Sequence, residues 1–245
     1  MTNAKSAIKK AFRNLGYEVK VSKYGPRSSA IAQTVSSLRK FEVDLVLDVG
    51  ANRGHFASEI RSAGYAGNIL SFEPLSKVHV HLVDASHGDP KWEVHPRCAL
   101  GEQEGEVEIN IAGGNSESSS LLPMLESHVS ASPKTAYIGK ESVPLRTLDS
   151  VALDYAARFK NPFLKIDIQG FEWEALNGAT NLLPKMRGAL LELSMLPLYE
   201  GQHLWHEMIA RMESSGMILW AIQPGFIDPN NGRTLQFYGI FFRQP

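Results

Sequence analysis

The sequence predicts a single α/β domain: a mostly parallel sheet with helices on both faces. Three observations carry this. From residue 41 onward, short β-rich apolar runs alternate with segments of helical period. Several of the runs are apolar at almost every position, as strands covered on both faces must be. Two helical segments close on a glycine, Gly64 and Gly216, which enters the left-handed turn after a helix without a Cβ clash.

In chain order, FEVDLVLDV (41–49) is a strand and HFASEIRSAG (55–64) a helix. NILSFEP (68–74) is a strand, KVHVHLVDAS (77–86) a helix and WEVHPRCAL (92–100) a strand. GEVEINIA (105–112) alternates with period two and reads as a half-exposed strand. FLKIDI (163–168), EWEALNGATNLL (172–183), ALLELS (189–194) and LWHEMIARMESSG (204–216) continue as strand, helix, strand and helix. MILWAIQP (217–224) and TLQFYGIFFR (234–243) are strands joined by the turn-rich GFIDPNNGR, too short for a helical crossover, so they pair antiparallel. Residues 113–142 break the rhythm with seven serines between Ser116 and Ser132, and read as an irregular insertion, a candidate lid. The expected division is an N-terminal helical extension over 1–40 and one domain over 41–245.

A net charge of -1 gives no global attraction to nucleic acid. The one cysteine, Cys98, cannot form an internal disulfide or anchor a zinc cluster, as expected for a reducing compartment. The N-terminus lacks an apolar signal core, and no run approaches the ~20 apolar residues of a membrane span. The expectation is a cytoplasmic protein with a small-molecule partner, no nucleic-acid partner and no integral membrane segment. Residues 4–15 carry apolar positions at helical spacing beside Lys5, Lys9, Lys10 and Arg13, which reads as a capping helix with a solvated basic face. A salt-sensitive contact with a lipid-linked substrate through Lys9 and Lys10 is the functional alternative.

The loop after the first strand, VLDVGANRG (46–54), decides the ligand class. Parallel sheets bind ligands at the carboxyl ends of their strands, near the switch point. A dinucleotide fingerprint needs G-x-G-x-x-G, but Asn52 and His55 follow Gly50 where the second and third glycines belong. Asp48 beside the loop repels a pyrophosphate and suits a ligand bearing positive charge, such as S-adenosylmethionine. Glu73 lies 25 positions further on, where a carboxylate accepts hydrogen bonds from a ribose. That acid alone does not separate a nicotinamide dinucleotide from S-adenosylmethionine.

VLDVGANRGHF, SFEP, ALGEQEGEVEI, SSSLL, VPLRTLD, FLKIDIQGFEWEALNGA and LLELS occur in that order. Across residues 44–195 they resemble the FkbM family of S-adenosylmethionine-dependent methyltransferases. The resemblance implies a Rossmann-like class I methyltransferase sheet of seven strands with an antiparallel last strand. It implies O-methylation of a hydroxyl, often on a sugar or a glycosylated lipid or secondary metabolite. By motif, Asp48, Gly50, Ala51, Asn52 and Gly54 line the methionine end of the cofactor, Glu73 and Pro74 the ribose, and Cys98 and Ala99 the adenine, with Cys98 a small pocket wall.

O-methylation requires the acceptor oxygen to be aligned and its proton removed. Asp167, at the end of FLKID, is the first candidate for catalysis and also for binding the methionine ammonium; Lys165 shares its face of the strand. Glu192, an acid inside LLELS, needs a partner or a pocket. His203 is the third candidate, near neutrality by nature; His206 shares its helix face. Asp167 and Glu192 offer hard oxygen ligands, too few to predict a divalent metal. The family's acid–glycine pair is Gln169-Gly170 here, which weakens any mechanism that needs a carboxylate at 169. Glu172 and Glu174 sit at a helix start, where acids are favoured electrostatically. Ser119 and Ser120 offer hydroxyls from the insertion. A nicotinamide-dependent oxidoreductase and a non-catalytic protein of the same fold remain the alternatives.

Overall fold

The computed structural model describes residues 12–14, 16, 25–114 and 116–244. The basic segment 4–15, with Lys9 and Lys10, lies largely outside them. At the centre is β1 (Leu45–Val49), whose five residues are all buried. It pairs in parallel with β2 (Asn68–Phe72) on one side and β7 (Pro162–Ile166) on the other. Beyond β2 lies β3 (Trp92–Val94); beyond β7 lies β8 (Gly188–Ser194). The hairpin of β9 (Met217–Pro224) and β10 (Gln236–Arg243) completes a seven-stranded sheet in the order β3-β2-β1-β7-β8-β10-β9. β10 lies antiparallel to both β8 and β9.

Strand alternation assigns side chains to two cores. Leu45, Leu47, Leu164, Ile166, Leu191 and Leu193 pack with α5 (Leu148–Ala156), α6 (Glu172–Asn177) and α7 (Trp205–Ser214). Val46, Ile69, Phe163, Leu190 and Ile240 face α1 (Ala30–Lys40), α2 (His55–Ser62) and α3 (Ser76–Ser86). Asp48, Lys165 and Glu192 stand two positions on from Val46, Phe163 and Leu190, so they share that face of the sheet.

Two expectations are corrected. WEVHPRCAL is two strands, not one. β3 ends at Val94, His95 donates its N–H to Ser71, and Ala99–Leu100 forms β4 in a separate sheet. Pro96 has no N–H to extend the ladder, while buried Cys98, Ala99 and Leu100 keep the run apolar past the break. The segment 113–142 is not irregular throughout. It holds α4 (Glu126–Ala131), a 3-10 turn at Pro133–Thr135 and the first part of β6 (Tyr137–Arg146). β6 pairs antiparallel with β5 (Gly105–Ala112) and parallel with β4, giving a three-stranded sheet β4-β6-β5 over Leu75 and Val78. Gly139, Lys140 and Pro144 hide that strand in the sequence; only Val143 and Leu145 are buried in it.

Candidate active site

The strand order reverses between β1 and β7, and the loops that leave these strands touch. Gly50 has φ +74°, and a Cβ there would lie 1.9 Å from the Asp167 carbonyl oxygen, so no larger residue fits while the two loops keep this spacing. Asn52, at φ 48°, takes the left-handed turn that a second fingerprint glycine would otherwise supply. A cavity of about 650 Å³ opens over these loops, within the usual range for a small-molecule site.

Gly50, Ala51, Asn52, Glu73, Pro74, Cys98, Ala99, Asp167 and Glu192 all line it. Glu73 is buried, and its carboxylate accepts from the N–H groups of Asn52 (3.0 Å) and Leu75 (2.9 Å). Burial outweighs these bonds and pushes its pKa up to about 7. Phe72, Leu75, Leu100, Ile168 and Phe171 supply apolar walls. Burial pushes the Cys98 thiol up to about 12, which leaves it an inert wall residue.

Asp48, Gly54 and His203 are placed elsewhere. Asp48 is 0% exposed beneath the loop, 3.1 Å from the Lys165 ammonium, and accepts a hydrogen bond from Ser71. Its charge is matched there and does not face the cavity; Lys165 therefore pairs with Asp48, across the strands, rather than with Asp167. Burial works against the Lys165 charge, but Asp48, Asp167 and Glu192 hold its pKa above the ordinary value. The same ammonium donates to the carbonyls of Val49 (3.2 Å) and Gly50 (2.8 Å). Gly54, at φ +82°, begins α2 where a Cβ would strike the Trp92 ring, so it serves packing. His203 stacks on Trp173 at 3.9 Å and pairs with Glu207; His206 packs against Trp205.

The carboxyl ends of β7 and β8 and the amino end of the antiparallel β10 carry a polar network that the sequence did not disclose. Gln169 donates from Nε2 to both Asp167 (2.8 Å) and Glu192 (2.8 Å), while its Oε1 accepts from the Tyr199 hydroxyl (2.8 Å). Gln236 donates to Glu192 (2.7 Å) and Tyr238 to Asp167 (3.1 Å). Burial and the neighbouring Asp167 and Glu172 charges push the Glu192 pKa well up. The Tyr238 phenol is also raised, by Asp167 and Glu192. Glu172 lies below the site, accepts from the N–H groups of Ile168 and Gly170, and is pushed up to about 7 by burial. Among the described residues no group of three or more His, Cys, Asp and Glu is placed to hold a metal ion. Where a third carboxylate would stand, Gln169 supplies an amide that links the other two.

The insertion is tied to this network. The Ser120 hydroxyl donates to the Gln169 carbonyl (2.6 Å), so it is used internally, while Ser119 lines the cavity. Glu174 is not among the lining residues.

The lining chemistry discriminates between cofactors. Lys165 is the one cation among the described lining residues, and Asp48 and two carbonyls already hold it. A pyrophosphate therefore meets no free positive charge among the described lining residues, and meets acidic side chains at Glu73, Asp167 and Glu192. A phosphate-free nucleoside with a cationic end fits the same groups. The fold and the lining thus suit a phosphate-free, cationic nucleoside cofactor such as S-adenosylmethionine.

The profile of the methyltransferase FkbM domain matches residues 48–219. The chain belongs to this family of S-adenosylmethionine-dependent methyltransferases. Solved structures of similar fold include the mitomycin 7-O-methyltransferase MmcR: 11% identity, TM-score 0.46, covering 87% of this chain and 53% of that one. Magnesium protoporphyrin IX methyltransferase (ChlM) from Synechocystis PCC 6803, with bound S-adenosylmethionine, shares 11% identity at a TM-score of 0.48, covering 98% and 97%. The precorrin-6y C5,15-methyltransferase from Geobacter metallireducens GS-15 shares 12% identity at 0.46, covering 88% and 87%. No curated protein matches the chain. No helix among the described residues is long and apolar enough to cross a membrane.

Proposed function

We propose that this methyltransferase transfers its methyl group to a hydroxyl of a sugar or glycosylated metabolite. The observation that carries this is the Asp167–Gln169–Glu192 bridge at the cavity wall: two acidic side chains, one amide between them and, among the described lining residues, no reactive thiol or free amine. Glu73 and Pro74 hold the ribose, Cys98 and Ala99 the adenine, and Gly50, Ala51 and Asn52 the methionine end. S-adenosylmethionine, when bound, supplies the electrophilic methyl.

In this reading Asp167 takes the hydroxyl proton as the acceptor oxygen bonds the methyl carbon and S-adenosylhomocysteine departs as the sulfur–methyl bond breaks. Its two oxygens are fixed by Gln169 and Tyr238, which leaves further lone pairs for the acceptor. Glu192, held toward its protonated form, lowers the negative charge beside Asp167 and keeps the two from repelling. Gln169 and Gln236 fix Glu192 in return. A carboxylate base contributes about 10²–10⁴-fold to such a step.

The test is Asp167→Asn against a pool of methyl glycosides and polyols. The expected outcome is that O-methyl ethers form with wild type and that the variant, assayed at saturating S-adenosylmethionine, loses about 10²-fold or more of the rate. Methylation at nitrogen or carbon alone, or an unimpaired variant, contradicts the assignment.

A further inference from the structure

The cavity reaches the insertion, where His128 on α4 lines it and is 2% exposed. The ring lies 5.3 Å from Tyr199 and 5.4 Å from Phe226, centroid to centroid. Neither Nδ1 nor Nε2 has a hydrogen-bond partner. A buried polar nitrogen without a partner is destabilising, and a phenylalanine fills an aromatic slot without that cost. Such a group makes physical sense where a ligand supplies the missing partners. Burial pushes the imidazole down to about 4, so the ring is neutral and offers one N–H donor and one bare acceptor.

The surroundings define the ligand. Ser132, Thr135 and Phe226 line the same cavity, and its one described cation, Lys165, is already held by Asp48. An anionic group finds no counter-charge here. A neutral ring bearing several hydroxyls finds a donor, an acceptor, two further hydroxyls and an aromatic wall.

We propose that His128, with Ser132, Thr135 and Phe226, forms an acceptor subsite for a neutral polyhydroxylated ligand, a glycoside or cyclic polyol, that hydrogen-bonds to the imidazole. The proposal rests on the methyltransferase reading and deepens it. The acceptor carries one hydroxyl for Asp167 and a second for His128.

The test is by NMR on full-length protein labelled with ¹⁵N in its imidazoles and saturated with S-adenosylhomocysteine. The probes are methyl β-D-glucopyranoside, methyl α-L-rhamnopyranoside and myo-inositol, with cyclohexanol and inorganic phosphate as controls. The expected result is that at least one polyol shifts the His128 nitrogens while both controls leave them in place. His128→Phe then binds S-adenosylhomocysteine as wild type does, melts higher and binds that polyol at least tenfold more weakly. His128→Asn, which keeps a donor and an acceptor, retains part of the affinity and serves if the Phe variant misfolds. Unmoved His128 nitrogens with all three polyols, an equal response to phosphate, or full polyol affinity in both variants overturns the subsite. Failure of wild type to bind S-adenosylhomocysteine is a separate outcome that overturns the cofactor site beneath it.

Discussion

Gln169 shows how one side chain reorganises a site. An acid there would add a third carboxylate beside Asp167 and Glu192; the amide instead joins them and anchors Tyr199. The departure from the family pattern was visible in the sequence, but its effect was not, because it depends on Glu192 and Tyr199 arriving from distant segments. Glu73 was legible from its place after the second strand. Asp48 was legible as an important acid, but its partner was not: only the β1–β7 register sets it against Lys165. Tyr238 and Gln236 stand in a strand whose other residues are mostly apolar, and that polar alternation was the available signal. Glu73 also yields a pH prediction. Its pKa in the free protein is about 7, and ribose hydroxyls donate to the ionised form, so binding favours loss of its proton. Affinity for S-adenosylhomocysteine then rises as pH increases through about 7 and levels off above it. Glu73→Gln removes the dependence, and calorimetry between pH 5.5 and 8.5 reads both. An unchanged slope in the variant means that another group titrates.

Elements with strong periodicity were legible: the core strands and the helices after them needed only local pattern. β4, β6, α4 and α5 were not. β4 continues the apolar run of β3 after Pro96 and changes sheet, a change set by pairing with β6 and invisible to periodicity. β6 carries few buried side chains and takes its order from β5. The insertion between β5 and β6 is held from several directions. Ser120 bonds the Gln169 carbonyl, Asn110 pairs with Ser120, and Leu125 donates to Leu198. Ser120 thus ties the insertion to the loop after β7. Ser120→Ala removes a buried hydrogen bond and leaves the Gln169 carbonyl short of a partner, at a cost of about 1–3 kcal/mol. The expected outcome is faster amide exchange across residues 118–125, with the seven-stranded sheet as protected as before. Uniform loss of protection means that the insertion is part of the global folding unit.

At the scale of the molecule, a net charge of -1 conceals a cavity of opposite logic to its surroundings. Among the described residues, Glu59, Glu73, Asp167 and Glu192 line it, against one lysine already held by Asp48. That imbalance, not the fold, separates a cationic cofactor from a pyrophosphate. The sequence argument reached the right ligand class through Asp48, a residue that never meets the ligand space. Asp167, which lines the cavity, carries the charge instead. The most direct measurement is calorimetric titration of the full chain with S-adenosylhomocysteine and, separately, NAD. The expected result is saturable binding of S-adenosylhomocysteine, weakened about tenfold or more by Glu73→Ala, and no binding of NAD. Binding of NAD alone, or S-adenosylhomocysteine affinity indifferent to Glu73, contradicts the account.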